Sequence, residues 1–258
     1  MSSAGGTSGA DDFYVYLPSN LKSPTFDATN RISAYETKLE TPISIDSRLY
    51  EIGVARLMIT KSWYSLTETY FAYYSVALEQ EMYSNLTEGF YETIEDVYAE
   101  FKEILGADAP HYVFEINKRS QTIVLTMNDP RCFLDLSTEL EVMTGFKGRI
   151  SGSGSFPAAH AFDVTVGMPV IYIYSDVCGH SLCAESSLPL LCVVEVQPNV
   201  PRNGAMVYNF PRVTYVPLER DYIDNIKIQL ARPDGSPIKF SHGSVFVQLH
   251  IRRKKRLL

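Results

Sequence analysis

Tyr222-Ile-Asp-Asn-Ile-Lys-Ile-Gln-Leu230 and Ser244-Val-Phe-Val-Gln-Leu-His-Ile-Arg252 decide how this chain reads. In the first stretch Ile226, Ile228 and Leu230 alternate with Lys227 and Gln229. In the second, Val245, Val247, Leu249 and Ile251 alternate with Phe246, Gln248, His250 and Arg252. Side chains of an extended chain point alternately to its two faces, so period two over these lengths predicts half-buried strands with one face on a core. Asp234-Gly235 lies between them and supplies the positive φ that a tight reversal needs. Pro237-Ile-Lys-Phe240 follows. The expectation is a long antiparallel pair at the end of the chain, with its last strand running into Arg252-Arg-Lys-Lys-Arg256.

Bulk properties narrow the function classes. The chain has 258 residues, enough for one large β domain or two small ones with a full core. Its net charge of −7 argues against wholesale coating of nucleic acid and leaves Arg252–Arg256 as a local basic patch. No run of about 18 apolar residues predicts a membrane span. The start lacks the charged and apolar segments of a signal peptide. The four cysteines then fit a reducing compartment better than a disulfide scaffold.

Working outward, Met1–Asp12 is rich in Ser, Gly, Ala and Asp and reads as a flexible arm. Phe13–Leu17 is a strand stopped by Pro18. Asn30–Leu39 alternates, and Tyr50–Thr60 is a near-continuous apolar run fit for a covered strand. Tyr70–Glu81 reads as one aromatic strand. Ile94, Val97, Tyr98, Phe101, Ile104 and Leu105 recur at helical spacing behind a Thr93/Asp96 capping box, and Gly106 ends the helix. Tyr112–Asn117 and Gln121–Met127 are strands around Lys118-Arg-Ser120. Leu136–Phe146 is a short helix with Ser137 as N-cap and Gly145 at its end. Gly148–Ala159 reads as an exposed, mobile loop. Pro169–Val177, Leu188–Gln197 and Ala205–Pro217 complete about ten strands. The fold class is all-β, a single sandwich with one or two short inserted helices.

Candidate chemistry is sparse. Cys178, His180, Cys183 and Cys192 could form a three-Cys, one-His zinc site, but the spacing is not that of a standard knuckle and Cys192 sits in an apolar strand. Ser153 and Ser181 lack a nucleophile elbow, and Gly152-Ser-Gly154 reads as loop composition. The five histidines, at 111, 160, 180, 242 and 250, form no His-Glu-x-x-His pair. His250 is placed on a polar or interface side of the last strand, with a protonation switch as the sharper alternative. Glu79, Glu81, Glu88, Glu92, Glu95, Asp96, Glu100 and Glu103 cluster before and along the helix, as a solvated face or as a match to a basic partner. Asn85-Leu-Thr87 is a glycosylation sequon without a secretion signal. No catalytic, cofactor-binding or metal residue is assigned, and a non-enzymatic, self-associating protein is expected.

Four segments also resemble one family. Ile226, Ile228, Asp234, Gly235, Pro237, Ile238, Phe240, Gly243, Val245, Val247, Leu249, His250 and Arg252 are similar to the ending of the penton, or minor capsid, proteins of Maverick/Polinton-type and adintovirus-like double-stranded DNA viruses and transposons. Phe13-Tyr-Val-Tyr-Leu-Pro-Ser-Asn20 resembles that family's opening. Tyr50-Glu-Ile-Gly-Val-Ala55 resembles its third segment, with Tyr50 where the family has Trp. Tyr172-Ile-Tyr-Ser-Asp-Val177 with Pro189-Leu-Leu191 resembles its fourth. The middle, Leu66–Ser155, matches poorly. The resemblance implies a jelly-roll capsid domain over 13–253, an arm at 1–12 facing the particle interior, and a basic tail at 254–258. It implies a homopentamer at icosahedral fivefold vertices, in contact with a double-jelly-roll major capsid protein. Assembly would fall in the host nucleus or cytoplasm, with the basic tail as a nuclear address, a contact to packaged DNA, or a charged strand edge that discourages stray pairing. Exposed faces at Tyr70–Tyr74, Tyr172 and Tyr174 would either contribute subunit contacts or fill the core. A soluble oligomeric recognition module, lectin-like or tumour-necrosis-factor-like, is the alternative. A sandwich hydrolase lacks a recognisable nucleophile or metal set.

Overall fold

A computed structural model describes residues 12–20, 30–166, 168–183 and 185–255. The expected arm therefore lies outside the described residues apart from Asp12, as do 256–258 of the tail. In chain order the elements are β1 (Asp12–Pro18), β2 (Ala34–Ser44), β3 (Tyr50–Thr60), β4 (Tyr70–Ser75), β5 (Gln80–Asn85), α1 (Ile94–Leu105), β6 (Tyr112–Asn117), β7 (Thr122–Met127), β8 (Phe133–Leu136) and α2 (Thr138–Thr144). They continue with β9 (Ile150–Ser151), β10 (Gly154–Pro157), β11 (Val170–Ser175), β12 (Ser181–Cys183), β13 (Ser186–Leu188), β14 (Leu190–Glu195), β15 (Ala205–Asn209), β16 (Val216–Pro217), β17 (Tyr222–Ala231) and β18 (Val245–Arg253). The described residues fall into two compact units, one drawn from Met1–Ser62 and Pro169–Leu258, the other from Trp63–Met168.

The first unit is a sandwich. One sheet has the order β1-β18-β3-β15, with β16 also on β3; the other has the order β14-β11-β17-β2. Every pairing in both is antiparallel. Successive strands β1, β2, β3 and β11 fall alternately in the two sheets, and β14, β15, β17 and β18 alternate again. That crossing pattern is a jelly roll. The alternation read from sequence sets its core: Leu17, Ile52, Leu57, Ile59, Val247, Leu249 and Ile251 from one sheet, and Ile171, Ile173, Ile226, Ile228 and Leu230 from the other, are all fully buried. The Tyr35 hydroxyl of β2 donates to the Leu17 carbonyl of β1 at 2.9 Å and ties the two sheets together.

The last two strands form no pair. β17 lies between β11 and β2, whereas β18 lies between β1 and β3 in the opposite sheet. Asp234-Gly235 does reverse the chain, with Gly235 at φ 84° and the Arg232 amide donating to the Ser236 carbonyl at 2.8 Å. The return is spent on one bridge, Ala231 to Pro237, before the chain crosses over. Gly243 makes the crossing possible: its φ is 94°, and a Cβ there would stand 2.6 Å from Thr60.

The second unit is inserted between β3 and β11. It has sheets of order β10-β7-β6 and β5-β4-β8-β9. The capping box is formed: the Asp96 amide donates to Thr93 Oγ1 and the Thr93 amide donates to the Asp96 carboxylate. Ile94, Val97, Tyr98, Phe101 and Leu105 of α1 are buried. Phe101 meets Phe71 edge-on at 4.7 Å between ring centres, and Tyr98 stacks on Phe114 at 4.4 Å. The Tyr112 hydroxyl donates within reach of the Tyr74 and Phe133 carbonyls, at 2.8 and 3.1 Å, so β6 is tied to β4 and β8. Two expectations are corrected here. Tyr70–Glu81 is a hairpin, β4 to β5, turning at Val76–Glu79 with Glu79 at φ 54°. Gly148–Ala159 is built into both sheets: β9 pairs with β8, and β10 pairs with β7.

Candidate interaction surface

The outer face of the first sheet carries a row of aromatic and charged side chains. Alternation that buries Leu17 and Val247 turns Tyr14, Tyr16, Phe246, Gln248, His250 and Arg252 outward. Register then aligns an apolar row across the sheet: Pro18 opposite Phe246, Phe246 opposite Met58, and Met58 opposite Val207. Tyr14 and Tyr16 flank this row on the edge strand β1 and are 50% and 57% exposed.

Beside the row the face turns polar. The 210–215 segment lies on the sheet at Gly53, where a Cβ would stand 2.4 Å from the Thr214 carbonyl oxygen, so this close approach requires glycine. The Tyr215 hydroxyl and His250 Nδ1 are hydrogen-bonded at 2.8 Å. Tyr14 stacks on the His250 ring at 4.5 Å. The Arg252 guanidinium sits 3.5 Å above the Tyr215 ring and donates to Glu51 at 2.7 Å. His250 Nε2 is buried without a hydrogen bond, with the nearest Asp12 carboxylate oxygen at 3.5 Å. That contact is too long for a strong hydrogen bond. Arg56 and Arg212 line the same groove and have no ion pair among the described residues.

The outer face of the second sheet differs. Tyr172 and Tyr174 project from β11 and stack with ring centres 6.3 Å apart. Val193 lies opposite Tyr172, and Glu195 lies opposite Val170, on the same face. Lys227 pairs with Glu36 at 3.4 Å and Arg220 with Asp176 at 3.1 Å, whereas Glu195 has no ion pair among the described residues.

The other residues singled out in the sequence have structural settings. Tyr73 is core, Tyr70 is exposed, and Tyr74 is half-buried under the Arg131 guanidinium. Much of the acidic cluster is engaged within the chain. Glu79 pairs with Arg131, Glu81 with Arg149, and Glu95 with Lys118, while Glu100 accepts from Tyr91 and from the Thr87 amide. Within the basic run, Arg252 is committed to Glu51, and Lys254 donates to the Arg48 carbonyl at 2.9 Å. Cys178 donates to the Ser175 and Pro189 carbonyls, both at 3.2 Å, and His180 is exposed. Burial pushes the Cys178 thiol up to about 11 and the Cys192 thiol up to about 12, the opposite of what a metal ligand needs. Among the described residues no three His, Cys, Asp or Glu side chains converge on a metal position. No helix among them is long and apolar enough to cross a membrane. The charge of Arg56 and Glu195 was visible in the sequence; that each ends up unpaired beside an apolar row was not, because register decides it.

No family model matches the chain, and no curated protein matches it by sequence. Among solved structures it is similar to the mavirus penton protein, with 12% identity over 94% of this chain and 100% of that one and a TM-score of 0.48. It is also similar to a chain in the structure of the Sputnik virophage, with 10% identity over 95% and 99% of the two chains and a TM-score of 0.47.

Proposed function

We propose that this protein is a structural subunit of a virion: a penton, or minor capsid, protein that forms pentamers at the fivefold vertices of an icosahedral shell. The observation that carries the reading is the jelly roll of the first unit, formed by the segments whose order and spacing resemble penton proteins, from Phe13 to Arg253. A sandwich with two different outer faces suits a ring of identical subunits, since head-to-tail contacts close when the rotation closes. In this reading the protein is not an enzyme. Its partners are copies of itself and a double-jelly-roll major capsid protein, and the whole stretch 13–253, with its insert, serves as one capsid subunit. Contact with packaged DNA falls to what remains of the basic tail, and binding would weaken steeply with salt. Size-exclusion chromatography with light scattering on purified protein tests the reading. Five copies supports it, three points to a soluble recognition module, and a persistent monomer overturns self-assembly.

A further inference from the structure

Charges of opposite sign, with no ion pair among the described residues, sit beside apolar rows on opposite faces of the same sandwich. On the first sheet, Phe246, Met58 and Val207 form a row with Arg56 and Arg212 at its side. On the second, Tyr172, Tyr174 and Val193 form a patch with Glu195 next to it. An apolar sheet face rimmed by charge is the ordinary anatomy of a protein interface, and aromatics with arginine are its enriched residues.

We infer that the outer face of the β1-β18-β3-β15 sheet of one copy docks on the outer face of the β14-β11-β17-β2 sheet of the next. Packing two first-sheet faces together would set Arg56 and Arg212 against their own copies, and packing two second-sheet faces would set Glu195 against Glu195. Like charges across an interface cost affinity, whereas the mixed pairing matches cation to carboxylate and apolar row to apolar row. Of the other charges on these faces, Arg252 is paired with Glu51, Lys227 with Glu36 and Arg220 with Asp176, while Lys38, Glu40 and Asp224, exposed on β2 and β17, leave the second sheet net acidic together with Glu195. Asp12 stands at the far end of β1, facing His250. A contact between two different faces repeats in one sense around an axis, so it builds a ring where the rotation closes and a filament where it does not, and never a two-fold dimer.

This rests on the self-assembly reading above, and charge reversal separates the two. Arg56 and Glu195 are both exposed, so Arg56→Glu and Glu195→Arg leave the fold intact, as matching circular dichroism and thermal midpoints would show. With an oligomeric wild type, each single reversal is expected to shift the light-scattering mass to that of a monomer. The double variant, carrying both reversals in one chain, is expected to recover the wild-type mass because positions 56 and 195 again carry opposite charges. A wild type that is oligomeric while either single reversal keeps its mass, or a double variant that stays monomeric, overturns this pairing and leaves self-assembly standing. A monomeric wild type overturns both.

Discussion

The two units bury their cores by different means. In the first, most core strands have a partner far along the chain: β1 pairs with β18, β3 with β15 and β18, and β2 with β17, with β11 and β14 the shorter-range pair. In the second, two hairpins join neighbours in sequence, β4 with β5 and β6 with β7, with α1 between them in the chain, and the pairing of β4 with β8 is the long-range one. Side-chain chemistry follows the same division. The sandwich is filled by Ile, Leu and Val, whereas the insert is filled around Phe71, Tyr73, Tyr98, Phe101 and Tyr112, whose rings meet edge-on or stacked. Aliphatic strands tolerate long-range assembly because any β-branched neighbour packs on a pleat. Aromatic clusters fix a small core by specific geometry.

Core truncations test this contrast most strongly. Phe101→Ala in the insert is expected to cost about 3–5 kcal/mol, and Leu249→Ala in the sandwich about 2–5 kcal/mol, each read from urea unfolding. Hydrogen exchange separates them: Phe101→Ala should raise exchange along α1 while amides of 245–253 keep their protection. Equal loss of protection in both places would mean that the units unfold as one.

Tyr112→Phe comes next. It removes a hydroxyl that serves the Tyr74 and Phe133 carbonyls and leaves both acceptors buried, at a cost of about 1–3 kcal/mol in chemical unfolding. Thr93→Ala is smaller, about 1 kcal/mol, because it removes one side of the capping box at the exposed start of α1. The smallest effect is pH-dependent. Arg131 holds the Asp129 carboxyl down at about 2, below its ordinary 3.8. The stabilisation is therefore present above the ordinary value and is lost as pH falls toward 2. Asp129→Asn should flatten the acid limb of the stability profile slightly, and only for the insert.

Much of this was legible in the residues. Period two over 245–252 and 226–230 marked which side chains are buried, and each of those strands forms. Thr93, Asp96 and Gly106 marked both ends of α1. What stayed hidden has physical reasons. Alternation shows that a strand has a buried face but not which sheet it joins, so β17 and β18 looked like partners. The β4–β5 turn has no Gly, Pro or Asn. Glu79 takes the positive φ instead, and the turn is held by the Ala77 amide donating to Asp108 at 3.0 Å and the Leu78 amide donating to Ser75 at 3.0 Å. Gly152 and Gly154 suggested a loop, yet their positive φ angles shape the link between two short edge strands. The candidate docking faces depend on cross-strand register, which a single sequence does not carry.

The place of β18 has a consequence for synthesis. It fills the slot between β1 and β3, yet it is made last of the nine strands in the two sheets. Until residues 245–253 leave the ribosome, β1 and β3 flank an open gap with their hydrogen-bonding edges bare. The insert, whose strand pairings all lie within residues 63–168, can be complete long before that moment. A nascent chain would thus carry a finished insert while the sandwich is still incomplete, with unpaired strand edges exposed for that interval.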